Sequence, residues 1–220
     1  TDRIIAMLMV HEEQLVIEEK GIYSIEKFLL ARRLMYWSVY LHKTSYVAEE
    51  VLKRIIHRAR ELLNQSTAIE ASADLLYFIS TSHSSVDYFD MDNYTAIDDA
   101  DILSLVKVGV KHSDPVYASL CNMILTRRLP KIKVSNKPFS SDFIEKKKNR
   151  AKTKFDISTE NISYFVFDGV IKNMAYNLEQ SPILLIDKKG NTKELLAGSD
   201  QSNLKMLTKS VMKYYCCYPK

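Results

Sequence analysis

Residues 24–63 read SIEKFLLARRLMYWSVYLHKTSYVAEEVLKRIIHRARELL, and this stretch decides the fold. No Gly or Pro occurs between Gly21 and Gly109. Apolar residues recur at helical spacing: Ile25, Phe28 and Leu29, then Met35 and Val39, later Val47, Val51, Leu52, Ile55 and Ile56. Long helices are therefore expected over 25–63, with Ser24 as an N-cap that takes up first-turn N–H groups. A polar cluster interrupts the apolar rhythm: Arg32, Arg33, Tyr36, Tyr40, His42 and Lys43. Arg32, Tyr36 and Tyr40 lie four apart, so an ideal helix puts a guanidinium and two phenols on one face. Such a stripe can hold a phosphorylated sugar, with the arginine neutralising phosphate oxygens. The plainer reading is an arginine stacked over tyrosine rings at a helix contact.

A chain of 220 residues can bury a substantial core. With 46% hydrophobic and 26% charged residues, it has the composition of a globular protein rather than a disordered or fibrous one. No apolar run approaches the ~18 residues that span a bilayer, and no signal-peptide pattern opens the chain. No membrane association is expected. Cys121, Cys216 and Cys217 offer neither a disulfide framework nor zinc spacing, which suits a reducing cytoplasm. A net charge of +4 implies mild attraction to anions, far short of a dedicated DNA-binding surface.

Outward from the central stretch, residues 4–18 read as a β-hairpin, Ile4–Val10 and Gln14–Glu18, with a single amphipathic helix as the rival. His11 beside two glutamates at the turn invites a metal reading, but no second histidine is near in sequence, and no metal ligand is assigned. A helix is expected over Ala73–Ile79, then an acidic and aromatic loop from Ser84 to Asn93. That loop lacks the glycine and terminal glutamate of a calcium-binding EF-hand. Thr95 or Asp98 caps a helix to Val110 that buries Ile102, Leu103, Leu105 and Val106. Asp114-Pro115 restarts the next, which carries Val116, Leu120, Met123 and Ile124. Pro130 marks the expected boundary between a helical domain, residues 1–130, and a small α+β subdomain, residues 131–220.

In that second part a strand (Lys131–Val134) precedes a helix from Ser140 or Ser141 through a basic run. Lys146, Lys147, Lys148, Arg150, Lys152 and Lys154 form one solvated helix face or a phosphate or nucleic-acid contact. Strands are expected at Tyr164–Asp168, Val170–Ala175, Pro182–Ile186, Thr192–Leu195 and Val211–Tyr218, with a helix from Ser199 or Asp200 to Lys209. The fold class is mainly α with an α+β C-terminal part.

The run ARRLMYWSVYLHKT, preceded by VHEEQLVIEEKGIYSIEKFL, resembles the HD-superfamily phosphohydrolases related to deoxynucleoside triphosphate triphosphohydrolases. The similarity extends to the terminal VMKYYCCYPK and is greatest with the bacterial branch that also resembles the vertebrate SAM- and HD-domain dNTP hydrolase. This resemblance implies an N-terminal remnant of an HD-type helical domain. It also implies that the family's metal-binding His and Asp residues belong to a region normally preceding this stretch. The sequence holds no His-Asp dipeptide, so the chain is expected to be the C-terminal part of such a hydrolase. No catalytic residue or cofactor is assigned to it, and a divalent metal is expected in the intact parent.

By the same resemblance Arg32 meets the substrate triphosphate, Tyr40 packs on the deoxyribose, and Tyr36 takes a neighbouring substrate-facing position. The vertebrate enzyme has a histidine at that last position; a phenol, titrating near ~10, is a poor replacement for an imidazole near ~6.5 as a proton donor. His42 and Lys43, with Arg3 and Arg127, match positions around an activating nucleotide between subunits. A surface cation balancing a helix dipole is the alternative for each. The expected partners are a deoxynucleotide substrate or effector and further copies of the chain. The competing reading is a non-catalytic oligomerisation or nucleic-acid-binding module that uses the Lys146–Lys154 run.

Overall fold

The computed structural model describes residues 2–80, 91–155, 158–173, 182–198 and 211–220. A short helix, α1 (Asp2–Ile5), precedes the hairpin strands β1 (Leu8–His11) and β2 (Gln14–Glu18). The strand expected from Ile4 therefore begins only at Leu8. Ala6 and Met7 still donate backwards into the α1 turn, and pairing starts where the Met7 carbonyl accepts from Glu18 N–H at 3.0 Å. Glu12 and Glu13 close the hairpin with φ of 49° and 61°. Two consecutive left-handed residues match the right-handed twist of the strands, a geometry usually given to Asn-Gly.

Helix α2 (Ile22–Met35) follows a 3₁₀ turn over Glu19–Gly21. Ser24 is consequently inside the helix and is not its cap. Gly21 holds the N-cap position, where a Cβ would come within 3.1 Å of Ile17 and Met7. A π turn over Tyr36–Tyr40 ends α2, and α3 (Lys43–Asn64) follows. Next come α4 (Ala73–Ser80), α5 (Met91–Ala96), α6 (Asp99–Gly109) and α7 (Pro115–Leu125). The part of the acidic loop from Ser84 to Asp90 lies outside the described residues. Asp98, not Thr95, caps α6, in a reciprocal capping box with Asp101. Asp114 caps α7 with Pro115 in its first turn.

The remaining elements are β3 (Lys131–Ser135), α8 (Ser141–Phe155), α9 (Ile162–Phe165), β4 (Phe167–Asn173), β5 (Leu184–Ile186), β6 (Thr192–Glu194), α10 (Leu195–Gly198) and β7 (Val211–Tyr218). Of the strand expected over Tyr164–Asp168, Tyr164 and Phe165 are helical, in α9, while Phe167 and Asp168 are extended, in β4. One strand, β4, then runs through Gly169, because the absent Cβ leaves room for the Tyr215 ring, whose hydroxyl would otherwise stand 2.8 Å away. Met174 and Ala175, and the helix expected over 199–209, lie outside the described residues. The architecture is mainly helical, with an N-terminal hairpin and a small mixed α/β C-terminal part.

By contacts the chain divides into two compact units: Thr1–His42 with Val170–Tyr214, and Lys43–Gly169 with Tyr215–Lys220. Pro130 falls inside the second. In the first, the sheet runs β1-β2-β5-β6, with β2 and β5 parallel and the other pairs antiparallel. Helix α2 lays Ile22, Ile25 and Leu29 into a cluster with Met7, Ile17, Leu185 and Leu195. In the second, α3 is the central rod and packs against α7 and α4. It buries Val47, Val51, Ile55, Ala59 and Leu62 along one stripe. Helices α6 and α7 approach so closely that a Cβ on Gly109 would stand 2.6 Å from Cys121 Sγ. Leu103, expected in the core of α6, is 54% exposed, while Leu105 and Val106 are buried. Among the described residues, no helix is long and apolar enough to cross a membrane.

Candidate functional site

Two polar constellations lie on the long helices, one in each unit. The first is the Arg32, Tyr36 and Tyr40 ladder of α2 and the π turn. Tyr36 O accepts from Leu41 N–H at 2.7 Å, a bond spanning five residues in place of the α-helical four. Such a widened turn rotates the side chains that follow, and single π turns recur at functional sites. Here the three side chains stay together. The Arg32 guanidinium carbon is 5.6 Å from the Tyr36 ring centroid. The Tyr36 and Tyr40 centroids are 5.1 Å apart, with planes tilted by 46°.

The ladder is open to solvent: Arg32 is exposed, Tyr36 half-buried and Tyr40 55% exposed. Among the described residues no carboxylate pairs with Arg32. A guanidinium flanked by two phenol faces can accept an anion with an attached ring. Phe28, Met35 and Val39, each roughly half exposed, occupy neighbouring positions on the same helix face. Periodicity assigns Phe28, Met35 and Val39 to the same apolar set as Ile25 and Leu29, but only the latter two are buried. Helix α2 is apolar on more than one face, and a single sheet covers one of them.

The other residues matched by resemblance divide between the two units. Arg3 is exposed in the last turn of α1, and His42 is exposed just after the π turn. Both belong to the first unit, whereas Lys43, exposed at the start of α3, and Arg127 belong to the second. Arg127 has φ 57° and donates its N–H to Ile124 O at 3.2 Å. It is the left-handed residue that terminates α7, a position usually held by Gly or Asn. No group of three His, Cys, Asp or Glu side chains among the described residues could hold a metal ion.

The second constellation escapes a search for single motifs because it is built by tertiary contacts. Glu50, 8% exposed on α3, accepts from Arg54 at 2.8 Å and Lys53 at 3.2 Å. Burial works against its charge, but the hydrogen bonds from Arg54 and Lys53 prevail and hold its pKa below the usual range. Arg54 also lies 3.3 Å above the centroid of the Phe167 ring. Arg58 forks onto Asp114 at 2.6 and 3.2 Å and reaches Glu61 at 2.8 Å. Burial opposes the charge on Asp114, yet Arg58 and the Tyr117 N–H lower its pKa; at Glu61, Tyr164 and Arg58 overcome burial in the same way.

The Tyr164 hydroxyl lies 3.1 Å from His57 Nδ1, and burial followed by the Glu61 contact pushes the phenol up. Glu50, Arg54, His57, Arg58, Glu61 and Tyr164 line a recess of about 560 Å³. Its arginines are committed to carboxylates, which makes the recess a brace between α3, the α7 cap and the 164–167 segment rather than an anion receptor. The spacing Glu50–Arg54 and Arg58–Glu61 is the available sequence signal; Asp114 and Tyr164 give none.

Comparisons with known proteins bear on both units. Residues 1–85 match the family described as the HD associated region. A crystal structure of a phosphohydrolase from Bacteroides thetaiotaomicron superposes with a TM-score of 0.85 at 38% identity, over 99% of this chain and 55% of that one. A hypothetical protein from Aquifex aeolicus shares the fold at 20% identity and a TM-score of 0.59, over 99% of this chain and 47% of its own. The uncharacterized protein YwfO of Bacillus subtilis (strain 168) is 27% identical over 128 residues, which are 58% of this chain and 28% of YwfO. The chain spans about half the length of these solved relatives and a smaller share of the curated one. Taken with the HD associated region in its first 85 residues, the match at 38% identity supports kinship with HD-type phosphohydrolases.

Proposed function

We propose that this chain is part of a metal-dependent HD-type nucleotide phosphohydrolase that converts a deoxynucleoside triphosphate to deoxynucleoside and triphosphate. The observation that carries this reading is the solvent-open Arg32–Tyr36–Tyr40 ladder, with an arginine that no carboxylate among the described residues neutralises. Arg32 binds the triphosphate through charge-assisted hydrogen bonds, and Tyr40 packs against the deoxyribose. Tyr36 fixes the arginine between them through its ring face. These residues bind and orient the nucleotide. The divalent metal and the activation of water belong to other residues of the intact protein.

In this proposal His42, Lys43 and Arg3 contact an effector nucleotide between subunits of a cytoplasmic homo-oligomer. The resemblance assigns Arg127 there too: its backbone ends α7, and its side chain is exposed. The deoxynucleotide assignment is tested in the intact protein by comparing hydrolysis of dGTP and GTP before and after Tyr40→Ala. Loss of the preference for dGTP is expected. An unchanged preference would remove Tyr40 from the sugar site. The 220-residue chain alone should not hydrolyse dGTP, and activity abolished by a chelator would contradict the location given for the metal.

A further inference from the structure

Two cations of the basic run of α8 line a recess. Within the second unit, Lys131 on β3, Lys147 and Arg150 on α8, and Lys220 stand around a recess of about 370 Å³. Its floor is Ala151, Tyr218 and Pro219. Ala151 and Tyr218 belong to the cluster built on Ile162 and Val166, which fixes that floor. Among the described residues no carboxylate side chain lines the recess, and none lies within salt-bridge distance of Lys131, Lys147 or Arg150. Here the contrast with α3 is complete, since Arg54 and Arg58 of that helix are each matched by an acid.

Rings and cations then alternate outward from the recess. Lys147 Nζ lies 3.9 Å from the Tyr218 ring centroid and 5.3 Å from that of Phe143. Lys133 Nζ lies 5.0 Å from Phe143 and 6.0 Å from Phe139. Phe139 and Phe143 are stacked, with centroids 5.2 Å apart and planes 25° apart. Lys146, Lys148 and Lys152 continue the positive charge along α8, while the Lys154 side chain lies outside the described residues.

We propose that this surface binds single-stranded nucleic acid, with a backbone phosphate seated in the recess between Lys131, Lys147 and Arg150. Cations interleaved with aromatic rings are the two components of sequence-tolerant single-strand binding: charge tracks the phosphates and ring faces take the bases. Lys133, beside the Phe139 and Phe143 rings and outside the recess, gives a second phosphate a partner that one mononucleotide would not need, which favours a strand over a free nucleotide. A duplex offers no unstacked base to the rings. This inference is independent of the hydrolase reading, because every residue it uses lies in the second unit, away from Arg32, Tyr36 and Tyr40 in the chain.

The test is fluorescence anisotropy of the full chain with a labelled oligothymidylate of about 16 nucleotides. Affinity should fall steeply with salt, and Lys131→Glu with Arg150→Glu should weaken it about tenfold or more and flatten the salt dependence. Both side chains are exposed, so the thermal transition should be retained. If it is not, Arg150→Gln alone supplies the comparison. Lys107→Glu, on α6, is the control and should leave binding unchanged. The proposal is overturned if the charge reversals leave affinity unchanged, if duplex of the same length binds as tightly, or if dGMP competes at concentrations comparable to the oligonucleotide.

Discussion

Helices α2 and α3 follow one another in the chain, and both carry arginines among apolar residues, but they use them differently. On α3, Arg54 and Arg58 are held by Glu50, Asp114 and Glu61 and are largely shielded from water. On α2, Arg32 touches only the Tyr36 ring in the described contacts and stands in solvent. A cation surrounded by matched acids stabilises the fold and has no charge left for a ligand. A cation beside aromatic faces, without an acid, contributes little to the fold and is available for binding.

The largest effect that would break this contrast is on stability. Arg58→Ala leaves Asp114 and Glu61 without their shared partner and removes a tie to the α7 cap, and should cost about 2–3 kcal/mol in urea denaturation. Arg32→Ala should change stability by no more than about 0.5 kcal/mol. Equal losses would erase the distinction between the helices. Gly109→Ala forces a methyl against Cys121 Sγ and the Tyr117 ring, and should destabilise the second unit by about 1–3 kcal/mol.

Acid sharpens the comparison further. Glu50, Glu61 and Asp114 have folded pKa values below their ordinary ones of 4.5, 4.5 and 3.8. A depressed carboxylate stabilises the fold fully above its unfolded pKa, and that contribution is lost as pH falls through the folded value. Thermal stability should therefore decline below about pH 4.5, and Glu50→Gln should make that decline shallower. An unaltered slope would show that the brace on α3 does not carry the acid response. The smallest effect expected is a gain: Glu12→Asn with Glu13→Gly places residues suited to left-handed backbone in the hairpin turn. It should stabilise the first unit by about 1 kcal/mol, seen as a higher denaturation midpoint.

How much of this is legible in the sequence follows from where each signal resides. The stripe Val47, Val51 and Ile55 is readable because α3 is buried on one side only. The caps Asp98 and Asp114 are readable because capping is local. Phe28, Met35 and Val39 mislead, since helical spacing reports that an apolar face exists and not that this chain covers it. Ser24 is a false start for α2 because the chain enters through a 3₁₀ turn that hands over directly to the helix. Tyr164 and Phe165 look like the start of a strand because a buried apolar run this short carries no period. The Arg32–Tyr36–Tyr40 ladder is visible from spacing, while the π turn beneath it is not. The Glu50–Asp114–Tyr164 brace joins residues about fifty or more positions apart, and no local pattern announces it.

The claim most exposed to experiment is that Arg32 meets the substrate. Steady-state kinetics of dGTP hydrolysis by the intact protein and its Arg32→Ala variant, with melting temperatures measured alongside, test it directly. The variant should keep its melting temperature while KM rises and kcat/KM falls by about tenfold or more, as expected when a charge-assisted contact to phosphate is lost. Kinetics indistinguishable from the parent would contradict the account.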